Sequence, residues 1–161
     1  MTDRRTQIIA ALEEGRKETL AYFRALTPSQ LNTQIYHDEV TWSARQVLAH
    51  LVTIERSMQW LFRDMLAGGP GTPPDFDVDR FNRTQPQKLD GLSFDELAGQ
   101  FSDVRGETIA IVTAMSDKDL DREGVHAFHG PGTLDRFIRW AYEHARLHEA
   151  DVRRVLEPAA P

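Results

Sequence analysis

The stretch TLDRFIRWAYEHARLHEADVRRVL, residues 133–156, decides how the rest of the chain is read. Wound at about 100° per residue, it lays Leu134, Phe137, Ile138, Ala141, Ala145, Val152 and Val155 along one stripe, as a helix with one buried face does. His148 falls near the centre of that stripe and His144 toward its edge. Thr133 precedes the first apolar position as a start signal, and Pro158 follows the last as a stop.

Three further segments carry the same period. The first runs from about Thr2 to Leu26 and should bury Ile8, Ile9, Leu12, Leu20 and Phe23; Gly15 weakens its middle and Thr27-Pro28 ends it. The second starts at Ser43, where SARQ sets a capping serine three residues before Gln46, and reaches about Leu66 ahead of GGPG. Its stripe is Val47, Leu48, Leu51, Ile54, Met58, Leu61, Phe62 and Met65. The third starts at Ser93 in SFDE, another capping box, and passes Leu97, Phe101, Val104, Ile109 and Val112 to about Met115. Nothing between these segments alternates as a strand does. The expected class is all-α, a four-helix bundle, with residues 1–157 as one domain and 158–161 as a short C-terminal tail.

Linking segments of roughly 16, 26 and 17 residues exceed the about 2 to 8 of simple helical hairpins. The bundle therefore needs long crossover connections, or loops that line a functional end. The longest, AGGPGTPPDFDVDRFNRTQPQKLDG, carries Phe76, Val78 and Phe81, apolar anchors that a free linker would lack.

Composition narrows the function classes. Hydrophobic residues make up 40% and charged residues 27%, ordinary for a soluble protein, and no apolar run approaches the roughly 20 residues that cross a bilayer. The first residues mix charge and apolar groups without a cleavage signal, so a cytoplasmic protein with no membrane partner is expected. Cysteine is absent, which removes disulfides, thiolate nucleophiles and thiolate ligands; a metal site must use nitrogen and oxygen. The net charge of -6 disfavours a sequence-independent grip on nucleic acid, which needs a basic surface.

His144 and His148 lie four apart, on one helix face about 6 Å from each other, so both imidazoles can reach one ion. A chain with six histidines sets some pair four apart by chance roughly one time in six, so position has to decide. A single core histidine is ordinarily satisfied by a carbonyl or carboxylate, but two stacked on one buried face have four ring nitrogens to satisfy. His50, on the flank of the second stripe beside Val47 and Ile54, is the candidate third ligand. If the second and fourth helices pack antiparallel and end-matched, it falls level with about residue 149. The helical Glu-x-x-His pairs of di-iron bundles are missing, and a bis-histidine haem would leave the third histidine unexplained. His126 and His129, in GVHAFHGPG, either enter the mouth of such a site or are solvated; His37 reads as a loop residue. Glu55, Glu143, Glu149 and Asp151 are near enough in sequence to orient the histidines.

Three stretches together resemble the DinB superfamily of four-helix-bundle metalloenzymes. TWSARQVLAHLVTIE, residues 41–55, is similar to its tryptophan-serine helix start with a ligand histidine, here His50. HGPGTLDRFIRWAYEHARLHEADVRRVL, residues 129–156, resembles its glycine turn and HxxxH helix, here His144 and His148, and DFDVDRFNRTQ, residues 75–85, resembles a crossover in one branch. The resemblance implies a DinB-like bundle with one divalent metal ion (nickel, zinc or iron) held by His50, His144 and His148 at one end, and a homodimer. It implies an activity from a varied set: transferases and isomerases that use mycothiol or bacillithiol, hydrolases, and a toxin-resistance protein.

The expected function is thus a metal-dependent enzyme in which a low-molecular-weight thiol or water, ionised at an open coordination position, attacks a small electrophilic substrate by transfer or hydrolysis. Asn82, Arg83 and the loop from His126 to His129 are candidate rim contributors. The alternative is a non-catalytic bundle that binds a small molecule or partner, with the metal structural or absent.

Overall fold

The computed structural model describes residues 2–157, so the expected tail at 158–161 lies outside the described residues. Four long helices form, each started by a side chain that accepts an otherwise orphaned backbone N–H. These are α1 (Arg4–Arg24, capped by Asp3), α3 (Ala44–Leu66, capped by Ser43), α5 (Phe94–Thr113, capped by Ser93) and α6 (Leu134–Leu156, capped by Thr133). The capping boxes read at Ser43 with Gln46 and at Ser93 with Glu96 are both closed. Two short helices, α2 (Pro28–Leu31) and α4 (Val78–Thr84), punctuate the connections.

The core divides into two halves that fix the direction of each helix. Tyr22 and Phe23 pack with Val47 to Val52, Leu97, Phe101, Ala145 and Val152. Ile8 and Leu12 pack with Met58, Phe62, Met65, Val112, Leu134, Phe137 and Ile138. Hence α1 and α6 run one way while α3 and α5 run the other. Both α1 and α3 pack against α5 and α6, so the two pairs α1/α3 and α5/α6 sit across the bundle from each other. Because α3 and α5 are parallel, the chain between them must return along the whole bundle, and the long glycine- and proline-rich segment is that crossover. No helix among the described residues is long and apolar enough to cross a membrane.

Three local expectations are corrected. A β-hairpin forms where no strand was legible: β1 (Glu123–His126) pairs antiparallel with β2 (Gly130–Thr133). It is held from outside, since Val125 N–H donates to Pro70 carbonyl at 2.9 Å and Thr72 N–H to Val125 carbonyl at 2.8 Å. Gly71 makes that approach possible at φ +95°, because a Cβ there would lie 2.6 Å from the Val125 oxygen. Val155 is 42% exposed, about 60° around the last turn of α6 from buried Val152. Gly15 is buried and has a packing role: a Cβ there would sit 3.2 Å from Arg105 Nη1 and 3.3 Å from Tyr142 Cβ.

Candidate metal centre

His50 lies in the second turn of α3, and the antiparallel crossing of α3 and α6 brings it level with His144 and His148. Its Nε2 is 3.5 Å from His144 Nε2, which is 2.8 Å from His148 Nε2. One ligand atom from each of the three falls within 4.8 Å of the others. All three sequence candidates are therefore in one cluster.

Flat rings hold the imidazole planes. Trp42 stacks on His50 with centroids 4.4 Å apart and 27° between planes, and Trp140 stacks on His144 at 5.1 Å and 22°. Trp42 is placed by its backbone: its carbonyl accepts from Ile35 N–H at 2.8 Å and Tyr36 N–H at 3.2 Å, pinning the loop against the start of α3.

That loop also delivers Tyr36. Its hydroxyl donates to Asp151 Oδ2 at 2.6 Å and lies 2.7 Å from His148 Nδ1. A phenol has one hydrogen, so once it goes to the carboxylate the oxygen must accept from His148 Nδ1–H. The proton on Nδ1 leaves His148 Nε2 as a bare lone pair facing the cluster, the tautomer a metal ligand requires.

Burial holds all three imidazoles neutral. His144 is lowered to about 3 and His148 to about 4, mainly by desolvation; the neighbouring His148 lowers His144 further, while Asp151 partly offsets the effect at His148. His50 is pushed well below its ordinary value by desolvation and by both partners. Its Nδ1 is buried without a hydrogen-bond partner among the described residues. Converging neutral nitrogens, with no counter-charge among them, fit one divalent cation of the kind imidazole favours.

Of the four carboxylates near enough in sequence to orient a histidine, one does so. Glu55 lies five residues past His50, about 140° round α3, and so faces α5 and binds Arg105. Glu149, about 100° round from His148, accepts from Thr19 of α1, and burial raises its pKa. Glu143 is exposed. Asp151 alone reaches the cluster, through Tyr36, a residue no helical period marked because it sits in a loop.

The triad opens onto a cavity of about 950 Å³ walled by Trp42, Trp60, Phe76, Phe128 and Trp140. Asn82 and Arg83 of α4 line it, as expected of the crossover. His126 also lines it, but it is only 6% exposed, so the solvated alternative fails for this residue. His129 is tucked edge-on against Trp140 at 4.5 Å, and His37 is exposed.

The pattern of the DinB superfamily matches residues 11–152. The chain belongs to the DinB superfamily. YuaE of Bacillus subtilis, an uncharacterized protein, is 24% identical over 159 residues, which span 92% of this chain and 97% of YuaE. YfiT from Bacillus subtilis, described as a probable metal-dependent hydrolase with an unusual four-helix bundle topology, superposes with a TM-score of 0.76 at 20% identity, over 94% of this chain and 87% of its own. The colibactin self-resistance protein ClbS, solved in complex with a dsDNA, superposes at 0.75 with 12% identity over 97% of each chain. At these identities the two structures establish the DinB fold and leave the chemistry to this chain's own residues.

Proposed function

We propose that His50, His144 and His148 hold one divalent metal ion, and that the chain is an enzyme in which water or a low-molecular-weight thiol attacks a small electrophile. The observation that carries this reading is the convergence of three neutral imidazoles within 4.8 Å on the wall of a 950 Å³ cavity. Three protein nitrogens leave a position for an exchangeable ligand, as catalytic sites do, whereas a fourth protein ligand would close a structural one. When bound, the ion supplies positive charge that lowers the pKa of water or a thiol toward neutrality.

The remaining contributions belong to the chain. Tyr36 and Asp151 keep the His148 lone pair aimed inward. Trp42 and Trp140 fix the planes of His50 and His144. The aromatic walls take up an apolar substrate body and exclude water from the reacting atoms. Nickel, zinc and iron all suit this donor set. The description of YfiT as a probable metal-dependent hydrolase supports water as the nucleophile, and the presence of thiol-using enzymes in the superfamily supports a thiol. The DNA in the ClbS structure is not carried over, because a net charge of -6 opposes phosphate.

Elemental analysis of protein purified without a nickel column tests the site. The wild type should carry about one metal per chain and His148→Ala little. Equal retention by both overturns the triad. A screen of electrophiles with and without added thiol then separates transfer from hydrolysis; saturable binding without turnover in either arm would favour a bundle that only sequesters its ligand.

A further inference from the structure

The turn between β1 and β2 builds a polar group that the triad does not use. His126 Nδ1 accepts from the backbone N–H of Phe128 at 3.0 Å and of His129 at 3.2 Å. An acceptor nitrogen carries no proton, so the proton of the neutral ring is on Nε2. An imidazolium would press a third N–H against those two donors, and the turn therefore selects the neutral form. Burial acts in the same direction, lowering His126 to about 4, with His129 and Arg136 adding to the effect. Nε2 makes no hydrogen bond among the described residues, and the residue lines the cavity. The ring of Phe137, 5.0 Å away, holds its plane.

The wall beside it is a ladder of rings. Phe128, 70% exposed, lies over Trp140 at 5.4 Å and 6°, and Trp140 lies over His144 at 5.1 Å and 22°. His126, Phe128, Trp140 and His144 all line the one cavity, so a flat ligand held against this wall meets both the β1–β2 turn and the triad.

We propose that His126 Nε2–H is a fixed hydrogen-bond donor for a carbonyl oxygen of the substrate, and that the substrate is a carbonyl compound with an aromatic body. The proposal rests on the metal-site reading in that the nucleophile comes from the triad. As it adds to the carbonyl carbon, the π pair moves onto the oxygen, and the His126 proton stays on Nε2 while its hydrogen bond strengthens. A donor that stays neutral at physiological pH suits this role, because its Nε2–H is in place before charge develops on the oxygen.

Two measurements on metal-free protein test this apart from the triad. In ¹⁵N-histidine spectra of the wild type at neutral pH, His126 should be neutral with the proton on Nε2; a protonated Nδ1 overturns the proposal. 2-Naphthoate, whose carboxylate stands for the charged oxygen and whose rings stand for the body, should quench tryptophan fluorescence saturably. Binding should weaken about tenfold in His126→Phe and stay within about twofold in His126→Gln, whose amide still donates. No saturable binding to the wild type, or equal binding by the Phe variant, overturns it. If the Phe variant does not fold, the wild-type Nε2–H resonance decides: it should move on adding naphthoate, and an unmoved resonance overturns the proposal. Loss of the metal site would show in elemental analysis and leave these results standing.

Discussion

Two buried polar clusters sit in the core of this bundle and are built on opposite terms. At one, Arg105 of α5 meets Glu55 of α3 through Nε at 3.0 and 2.9 Å and Nη2 at 2.9 Å. Its guanidinium also donates to the carbonyls of Leu12 on α1 and Ala141 on α6, both at 3.2 Å, and Thr108 donates to Glu55 at 2.9 Å. The clasp thus touches all four long helices, and its charges cancel inside the chain. At the other, three imidazoles turn nitrogens toward one another, and His50 Nδ1 has no hydrogen-bond partner among the described residues. The clasp is complete without help; the triad leaves nitrogens to be satisfied from outside, as the proposed metal ion would do. Local rules are broken where something from outside is meant to bind.

The largest expected effect falls on the clasp. Arg105→Ala strands the Glu55 carboxylate in the core and should cost about 3–5 kcal/mol of stability, read as a lower urea midpoint. His144→Ala in metal-free protein should cost less, because it also removes a nitrogen that faces two others. Adding metal in large excess over its dissociation constant, about 1,000-fold, should stabilise the wild type and Arg105→Ala by about 4 kcal/mol and leave His144→Ala unchanged. Equal losses in the two metal-free variants would erase the distinction between the clusters.

Acid should separate them next. The triad histidines have folded pKa values below the ordinary 6.5, at about 3 for His144 and about 4 for His148. Between those values and 6.5 the unfolded chain binds more protons, so stability rises with pH across this window. The metal-free wild type should therefore be fully stable above about 6.5 and lose stability as pH falls toward 4, and a variant lacking both His144 and His148 should lose less. Parallel acid profiles for the two proteins would refute the assignment.

The long elements were legible because they are local: a serine, its partner three residues on, and a stripe repeated every turn. The triad was legible because i, i+4 spacing and an antiparallel level are geometric consequences of those helices. What escaped depends on distant chain. β1 and β2 contain three glycines and a proline, so they show no alternation, and their support comes from Pro70 and Thr72 on the crossover. The Arg105 clasp depends on Glu55 facing it from another helix, which no pattern within either helix announces. Glu55, near the histidines in sequence, is turned away from them by the roughly 140° of helix between it and His50.

The smallest effect tests how the triad is kept ready, and it turns on one proton. Tyr36→Phe removes the oxygen that accepts from His148 Nδ1–H, so the ring is free to move its proton to Nε2 and block the lone pair. Metal affinity, followed by cobalt titration, should fall about tenfold, in the range found for groups that orient a ligand histidine. Asp151→Asn should act through the same chain without changing its shape. An amide donates to the Tyr36 oxygen where the carboxylate accepted from it, Tyr36 then donates to His148 Nδ1, and the imidazole proton is driven onto Nε2. The ¹⁵N-histidine spectrum of this variant should show the His148 tautomer reversed, alongside a comparable loss of cobalt affinity. Wild-type affinity in both variants would mean that packing against Trp42 and Trp140 orders the triad unaided.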